Sequence, residues 1–410
     1  MSLRPVGAVA IALALAACGS EGPTAPKKIE QLPRPLSSVE QQIADGSTWF
    51  GLSLLREVGE RTPADSNVFI SPLSASMALG MTATGAAGAT LDSMRAVLGY
   101  PEADLEEMDE SYRSLIDLLR GLDPSVDFRI ANSIWYRNGL NVEPSFVDAT
   151  KRYFDAEVAA LDFDSPAAVG TINDWVKRGT NDKIDRIVNS IPEYMVMYLI
   201  NAIYFKGSWT EEFDRSRTQN EPFFASDGSQ STVPMMSVEG DFLATSTDEY
   251  SAVELPYGGG AFNMVVVVPR QGSSVDSLIS KMDATRWQAL LDGLTERGGL
   301  VQIPRFRLEW KSSLNAPLID MGMGIAFDAT RADFSGISHD AALFISGVDQ
   351  KTYVNVDEEG TEAAAVTSVG VGVVSLPLPL LRADRPFLFA IRERFSGTLL
   401  FMGKMAVPPA

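Results

Sequence analysis

The stretch from Asp357 to Val374, DEEGTEAAAVTSVGVGVV, reads equally as a strand and as a loop, and it restricts the available folds more than any other segment. Counted at period two from Thr361, one set is Thr361, Ala363, Ala365, Thr367, Val369, Val371 and Val373. The other is Glu362, Ala364, Val366, Ser368, Gly370 and Gly372. One face is small or β-branched and apolar; the other is polar, tiny or lacks a side chain, as in a strand with one buried face. Two interior glycines, the lack of bulky core residues and the following Ser375-Leu376-Pro377-Leu378-Pro379 belong instead to a loop, because proline removes ladder donors. A segment suited to both states points to a conformational switch.

The rest of the chain has to supply a sheet for such a strand. Its 410 residues are 45% hydrophobic and 21% charged, ample for a large core. After residue 40 no repeat, charge block or long Pro/Gly/Ser linker divides it, so one large domain over 39–410 is expected. Helical periodicity covers Val39–Val58. Ser71 and Pro72 then form an N-cap and first turn opening a helix that runs to the Gly85–Gly88 break. Further helices are predicted over Thr90–Leu98, from Pro101 to Gly121, and over Pro144–Phe154, Ala167–Arg178, 273–281 and 284–296. Strands are predicted over Phe128–Tyr136, Tyr194–Phe205, 231–237, 251–256, 262–269, 300–309, 342–356, Pro386–Arg392 and Thr398–Met405. Helices early and strands late, without β-α alternation, give an α+β class.

Most familiar chemistry is excluded. The single histidine, His339, lies in a polar loop and has no second His or Cys with which to share a metal or build a triad. No G-x-S-x-G elbow occurs, and Gly370-Val371-Gly372 precedes prolines rather than a helix, so it is no dinucleotide fingerprint. The acidic run Glu102, Asp104, Glu106, Glu107, Asp109, Glu110 reads as a solvated helix face rather than a calcium loop. No cofactor and no metal are expected. A net charge of −19 argues against nucleic acid or heparin-like polyanions as partners.

Several motifs carry a family likeness. Glu358-Glu359-Gly360-Thr361-Glu362-Ala363-Ala364-Ala365 resembles the hinge of the reactive loop in serpins, the serine protease inhibitor superfamily. Asn67–Ser74 (NVFISPLS), Asn201–Trp209 (NAIYFKGSW), Val253–Tyr257 (VELPY), Ala332–Gly336 (ADFSG), and Arg385-Pro386-Phe387 with Leu400–Gly403 resemble serpin segments and follow serpin order, from about Val39 to the C-terminus. The resemblance implies a serpin fold with eight or nine helices, three β-sheets and an exposed reactive-centre loop over about 358–382. It also implies a monomeric inhibitor, not an enzyme, whose partner is a serine, or cysteine, endopeptidase held in a covalent complex. The protease cuts the loop, and the loop inserts into the main sheet before the acyl-enzyme is hydrolysed.

The same likeness assigns positions. Seventeen residues counted from Glu358 place the reactive bond at Val374–Ser375, with Val373, or Val371 before Gly372, as alternative registers. Cleavage after Leu376 or Leu378 would put a proline on the leaving side, and no Lys or Arg lies between Lys351 and Arg382. An elastase-like or chymotrypsin-like target is therefore expected rather than a trypsin-like one. Gly360 is a free hinge, and the small Thr361, Ala363 and Ala365 are fit to pass between strands. Ser71, Ser74 and Asn201 match the shutter beneath the sheet, where Gln350 stands in place of the family's usual histidine. Trp209, Arg305 and Glu358 match the breach at its top, where an exposed Arg305–Glu358 pair would contribute about 0–1 kcal/mol. A serpin-fold binding or chaperone-like protein is the alternative, against which the small uncharged hinge argues.

At the N-terminus, Arg4 precedes an apolar run from Val6 to Ala17 that is too short to span a bilayer. Its end, Leu15-Ala16-Ala17-Cys18, resembles the bacterial lipoprotein signal, which would make 1–17 a signal peptide and Cys18 the lipidated residue. A conventional signal cleaved after Ala16-Ala17 is the other reading. Residues 18–38 are expected to be a flexible tether, and the protein to be exported and held at the cell envelope, at the outer membrane by analogy with Gly19, or to be extracellular.

Overall fold

The structure, a computed structural model, describes residues 27–100, 104–361 and 379–409. The described chain begins with α1 (Ser38–Glu60), whose Ser37 and Glu40 form a reciprocal capping box. It continues through β1 (Val68–Ile70), α2 (Pro72–Ala83), α3 (Gly88–Leu98), α4 (Leu105–Gly121), β2 (Val126–Arg137), α5 (Pro144–Phe154), β3 (Ala156–Leu161), α6 (Ala167–Gly179) and β4 (Met197–Ser208). Then come β5 (Gln219–Phe224), β6 (Gln230–Ser246), β7 (Tyr250–Tyr257), β8 (Phe262–Pro269), α7 (Val275–Lys281), α8 (Ala284–Asp292), β9 (Thr295–Pro304) and β10 (Phe306–Ser313). The last elements are a four-residue α9 (Asn315–Leu318), β11 (Asp349–Val356), the two-residue β12 (Gly360–Thr361), β13 (Pro379–Arg382), β14 (Phe387–Glu393) and β15 (Leu399–Met405).

The α+β class and the helix count are as expected, with nine α-helices among the described residues. The sheets differ from expectation. Where three were predicted, the described strands hydrogen-bond into two. The six-stranded sheet runs β10-β11-β12-β4-β2-β3, and the nine-stranded one β1-β15-β14-β8-β7-β6-β9-β13, with β5 on β6. Two sheets become one because β6 is 17 residues long: it pairs with β9 from Met235 to Ala244 and with β7 from Leu243 to Ser246.

Other boundaries moved for local reasons. The strand predicted over 300–309 is two strands in different sheets, broken at Arg305, directly after Pro304. The helix predicted to 296 stops at Asp292, because Gly293 caps it and β9 begins at Thr295. The helix predicted from Pro101 starts at Leu105, where the Asp104 carboxylate accepts the Glu106 and Glu107 amides; residues 101–103 lie outside the described residues. The strand expected over 342–356 occupies only Asp349–Val356, and that expected over Tyr194–Phe205 is shifted to Met197–Ser208. Residues 27–38, predicted as tether, are docked. The Ile29 amide donates to the Gly259 carbonyl at 2.8 Å, Arg34 pairs with buried Glu40 and bonds Ser114, and Leu32 and Leu36 pack on the core.

The core lies between the two sheets and beneath the N-terminal helices. Phe205 of β4 sits 5.1 Å from the Tyr257 ring and 5.7 Å from Phe262, joining the sheets edge-to-face. β8, β14 and β15 are buried along their whole length, which explains their continuous apolar runs. On its outer face the six-stranded sheet carries α6, through Trp135, Ile172, Trp175, Val176, Ile200 and Ala202. β4 is therefore covered on both sides.

One helix face was read as solvated and is not wholly so. Asp109 of α4 is buried; one oxygen accepts the Thr84 hydroxyl at 3.1 Å and the other has no donor among the described residues. Burial raises its pKa to about 7, with Asp104 and Glu106 adding to the effect and Thr84 and Arg95 opposing it. A carboxyl raised on folding binds its proton more tightly in the folded state. This contribution is therefore most favourable below about pH 4, declines as pH rises towards 7 and is flat above. Asp109→Asn should remove that decline, stabilising the protein by on the order of a few kcal/mol at pH 8 and little at pH 4. Urea unfolding at both pH values checks this; an unchanged pH dependence contradicts it.

Candidate functional site

β11 ends at Val356, and the next four residues fold into a tight turn. The Asp357 amide donates to the Gly360 carbonyl at 2.9 Å, and its carboxylate accepts the Glu359 and Gly360 amides at 3.0 and 3.3 Å. The turn delivers Gly360 and Thr361 between β11 and β4. Thr361 pairs antiparallel with Val356 on one side and with Gly207 on the other, and Gly360 pairs with Ser208. Only glycine fits at 360. Its φ is +153°, and a Cβ there would stand 2.1 Å from the Gly207 carbonyl oxygen. The hinge glycine read from the sequence is thus fixed by close approach of backbone as much as by freedom.

Thr361 faces the core. It is buried, and its hydroxyl is 2.7 Å from the Tyr257 hydroxyl. Tyr257 is stacked on Trp209 at 4.4 Å and 15°. Burial pushes the Tyr257 phenol well above its ordinary range, only partly offset by the bond to Thr361, so it stays a neutral partner. Trp209 in turn donates its indole N–H to the Asp357 carbonyl at 2.9 Å and its backbone N–H to Glu359 at 2.9 Å. Trp209 therefore touches both ends of the turn.

The Arg305–Glu358 pair exists but is not the surface contact expected. The Glu358 side chain is 1% exposed and Arg305 45%. One carboxylate oxygen accepts from Arg305 at 2.5 Å and from Thr218 at 2.6 Å, while the other has no donor among the described residues. Burial alone would raise the Glu358 pKa; the hydrogen bonds from Arg305 and Thr218 and the arginine's charge outweigh it and lower the value, so the carboxylate is held ionised. Removing the arginine strands a buried charge, which costs more than the 0–1 kcal/mol of an exposed pair.

The lower cluster assembles in part. Gln350 on β11 accepts the Ser71 amide at 3.0 Å and donates to the Ser71 carbonyl at 2.8 Å, spanning from the sheet to the N-cap of α2. The Ser71 hydroxyl donates to Leu400 at 2.7 Å and accepts the Ser74 amide at 3.2 Å. Ser71, Ser74 and Gln350 are one unit. Asn201 makes no hydrogen bond to these three: its amide nitrogen donates to Asn132 at 2.7 Å and to the Met77 sulfur of α2 at 3.8 Å, and its oxygen has no donor among the described residues. Glu362, Ala363, Ala364, Ala365, Val374, Ser375 and Cys18 lie outside the described residues.

Several participants had no signal in the sequence. Tyr257 lies in a motif quoted for likeness alone. Thr218 and Arg215 belong to the polar connection between β4 and β5, and nothing in its composition sets them apart. Among the described residues, no cluster of His, Cys, Asp and Glu is placed to hold a metal ion, and no helix is long and apolar enough to cross a membrane.

Gln350→Ala should leave the buried Ser71 amide without an acceptor and lower stability by about 2 kcal/mol. Denaturant unfolding reads this, and a change below about 0.5 kcal/mol would show that the amide bridge is not needed.

Comparison with known proteins agrees with this geometry. The profile of the family described as serpin (serine protease inhibitor) matches residues 45–408. The chain is 34% identical to an uncharacterised serpin-like protein of Thermococcus kodakarensis over 377 residues, covering 90% of this chain and 86% of that one. It is 32% identical to the human leukocyte elastase inhibitor, covering 90% of this chain and 100% of the relative. Among solved structures, the thermophilic serpin tengpin in its native state aligns with a TM-score of 0.81 at 29% identity, over 93% of this chain and 97% of that one. Human thyroxine-binding globulin complexed with thyroxine aligns with a TM-score of 0.83 at 26% identity, over 91% of this chain and all of that one.

Proposed function

The chain belongs to the serpin family, and we propose that it is an inhibitory member that traps serine-type endopeptidases by inserting its cleaved loop as a strand between β4 and β11. The observation that carries this reading is the placement of Thr361. Because β12 is antiparallel to both neighbours, a strand continuing from it meets two correctly directed edges at once. Thr361 faces the core, so the alternate residues Ala363, Ala365, Thr367, Val369, Val371 and Val373 would follow it inward, with the glycines and Glu362 on the other face. Carried forward at the same offsets, Ala363 meets Phe205 and Val354, and Thr367 meets Asn201 and Gln350. A threonine hydroxyl arriving there could donate to the Asn201 oxygen.

In the proposed sequence of events the protease's serine attacks the Val374 carbonyl, the Ser375 amine leaves, and the ester joins the two proteins. About a dozen residues then enter the sheet at roughly 1 kcal/mol of net hydrogen bonding each, on the order of 10 kcal/mol, before water hydrolyses the ester. The small apolar residue at the bond and the absence of nearby Lys and Arg favour an elastase-like or chymotrypsin-like target. The same reading makes Cys18 the lipidated residue of an exported, envelope-anchored protein, supported by Leu15-Ala16-Ala17-Cys18.

Incubation of residues 27–410 with pancreatic elastase and with chymotrypsin should give an SDS-resistant covalent complex, and Thr361→Arg should convert the protein to a substrate that is cut without complex formation. Complete loop cleavage of the unaltered protein by both proteases with no complex contradicts the inhibitory reading. Expression of the full chain in a bacterium fed labelled palmitate should label the protein, and Cys18→Ser should abolish the label; equal labelling of both refutes the anchor.

A further inference from the structure

A second buried glutamate lies next to the first, and nothing in the breach as read from the sequence assigns it. The Glu359 side chain is 5% exposed, and one of its oxygens forms an ion pair with the Arg215 guanidinium at 2.6 Å, an arginine that is itself 59% exposed. Its other oxygen has no donor among the described residues, as with Glu358. The two carboxylates are held by cations from different segments, Glu358 by Arg305 between β9 and β10 and Glu359 by Arg215 between β4 and β5. Apart from Arg305, the grip comes from one short stretch. The Trp209 amide donates to the Glu359 carbonyl and the Phe213 amide to the Glu358 carbonyl at 2.8 Å, while the Thr218 hydroxyl reaches Glu358 and Arg215 reaches Glu359.

We propose that Arg215 and Glu359 form a second anchor which, with Arg305 and Glu358, fixes the register in which a strand starting at Gly360 enters between β4 and β11. This rests on the inhibitory reading above. A one-residue slip would turn the Thr/Ala/Val face outward and present Glu362 to the core, so an inserting strand needs its first pair held against sliding along both edges. One ion pair leaves the turn free to pivot about that contact; two, to cations on different segments, do not. Arg215 also lies among acidic groups. Burial and the proximity of Glu359 and Asp357 raise the Glu212 pKa, and Arg215 is the cation that opposes them. The anchor holds the start of the strand in place rather than holding the loop out, because Gly360 and Thr361 are already paired on both sides.

Arg215→Gln and Arg215→Lys test this with two readouts. In the uncleaved protein, hydrogen exchange at the Glu359, Gly360 and Thr361 amides should quicken at least tenfold in Arg215→Gln and less in Arg215→Lys, with the β14 and β15 amides unchanged. With elastase or chymotrypsin, the moles of inhibitor consumed per mole of protease inactivated should rise severalfold in Arg215→Gln, while the rate of loop cleavage stays within twofold. Unchanged exchange, or unchanged partition with a protease that the unaltered protein does trap, overturns the anchor. If the unaltered protein traps neither protease, the inhibitory reading fails and with it the proposed role in insertion; the exchange result still decides whether Arg215 holds the turn.

Discussion

Two backbone pairs organise the functional half of this molecule: Thr361 with Val356 and Thr361 with Gly207. Among the described residues they are the link between β11 and β4, which otherwise belong to separate halves of the six-stranded sheet. The neighbouring features make sense as support for them. Gly360 has no side chain because the Gly207 carbonyl occupies the space, Tyr257 gives the Thr361 hydroxyl its partner, and Trp209 fills the corner between Tyr257 and the turn. The position is held by packing and neutral hydrogen bonds on the core side and by charge on the other.

The energetics separate into two tiers. At the top, Glu358 and Glu359 are buried anions whose cations lie near the surface, an arrangement weak in direct attraction and costly to disrupt. Lower down, Gln350 couples β11 to the N-cap of α2 through two neutral hydrogen bonds. Parting β11 from the helix below therefore breaks a pair of hydrogen bonds to the Gln350 amide. A histidine in the same place would titrate near neutral pH, whereas the glutamine makes this contact indifferent to pH.

Much of this was legible in the sequence, and the parts that were not share a cause. The period-two pattern from Thr361 predicted the inward face that the Thr361–Tyr257 bond confirms at its first position, because alternation in a strand is a local property. The helices with a first-turn proline, after Ser71 and Glu143, were placed to within two residues, whereas those capped by Asp104 and Asp283 each missed one end by four. The short strands β1, β3, β5 and β13 escaped because three to six residues carry too little periodicity, and they are strands only by virtue of distant partners. Ser71 and Gln350 are 279 residues apart and were joined only by family likeness. Asn201 was grouped with them by the same likeness, yet local chemistry gave it to Asn132, one residue type that likeness did not mention. The Arg305–Glu358 pair was named correctly and its burial missed, since the depth of a charge depends on what folds over it.

The most direct measurement is a crystal structure of the chain after cleavage at its reactive bond. The account predicts a strand continuous from Gly360 that fills the space between β4 and β11, with Ala363 opposite Phe205 and Val354, and Thr367 opposite Asn201 and Gln350. A cleaved form in which β4 and β11 pair directly with each other, or in which Glu362 rather than Ala363 faces the core, would contradict it.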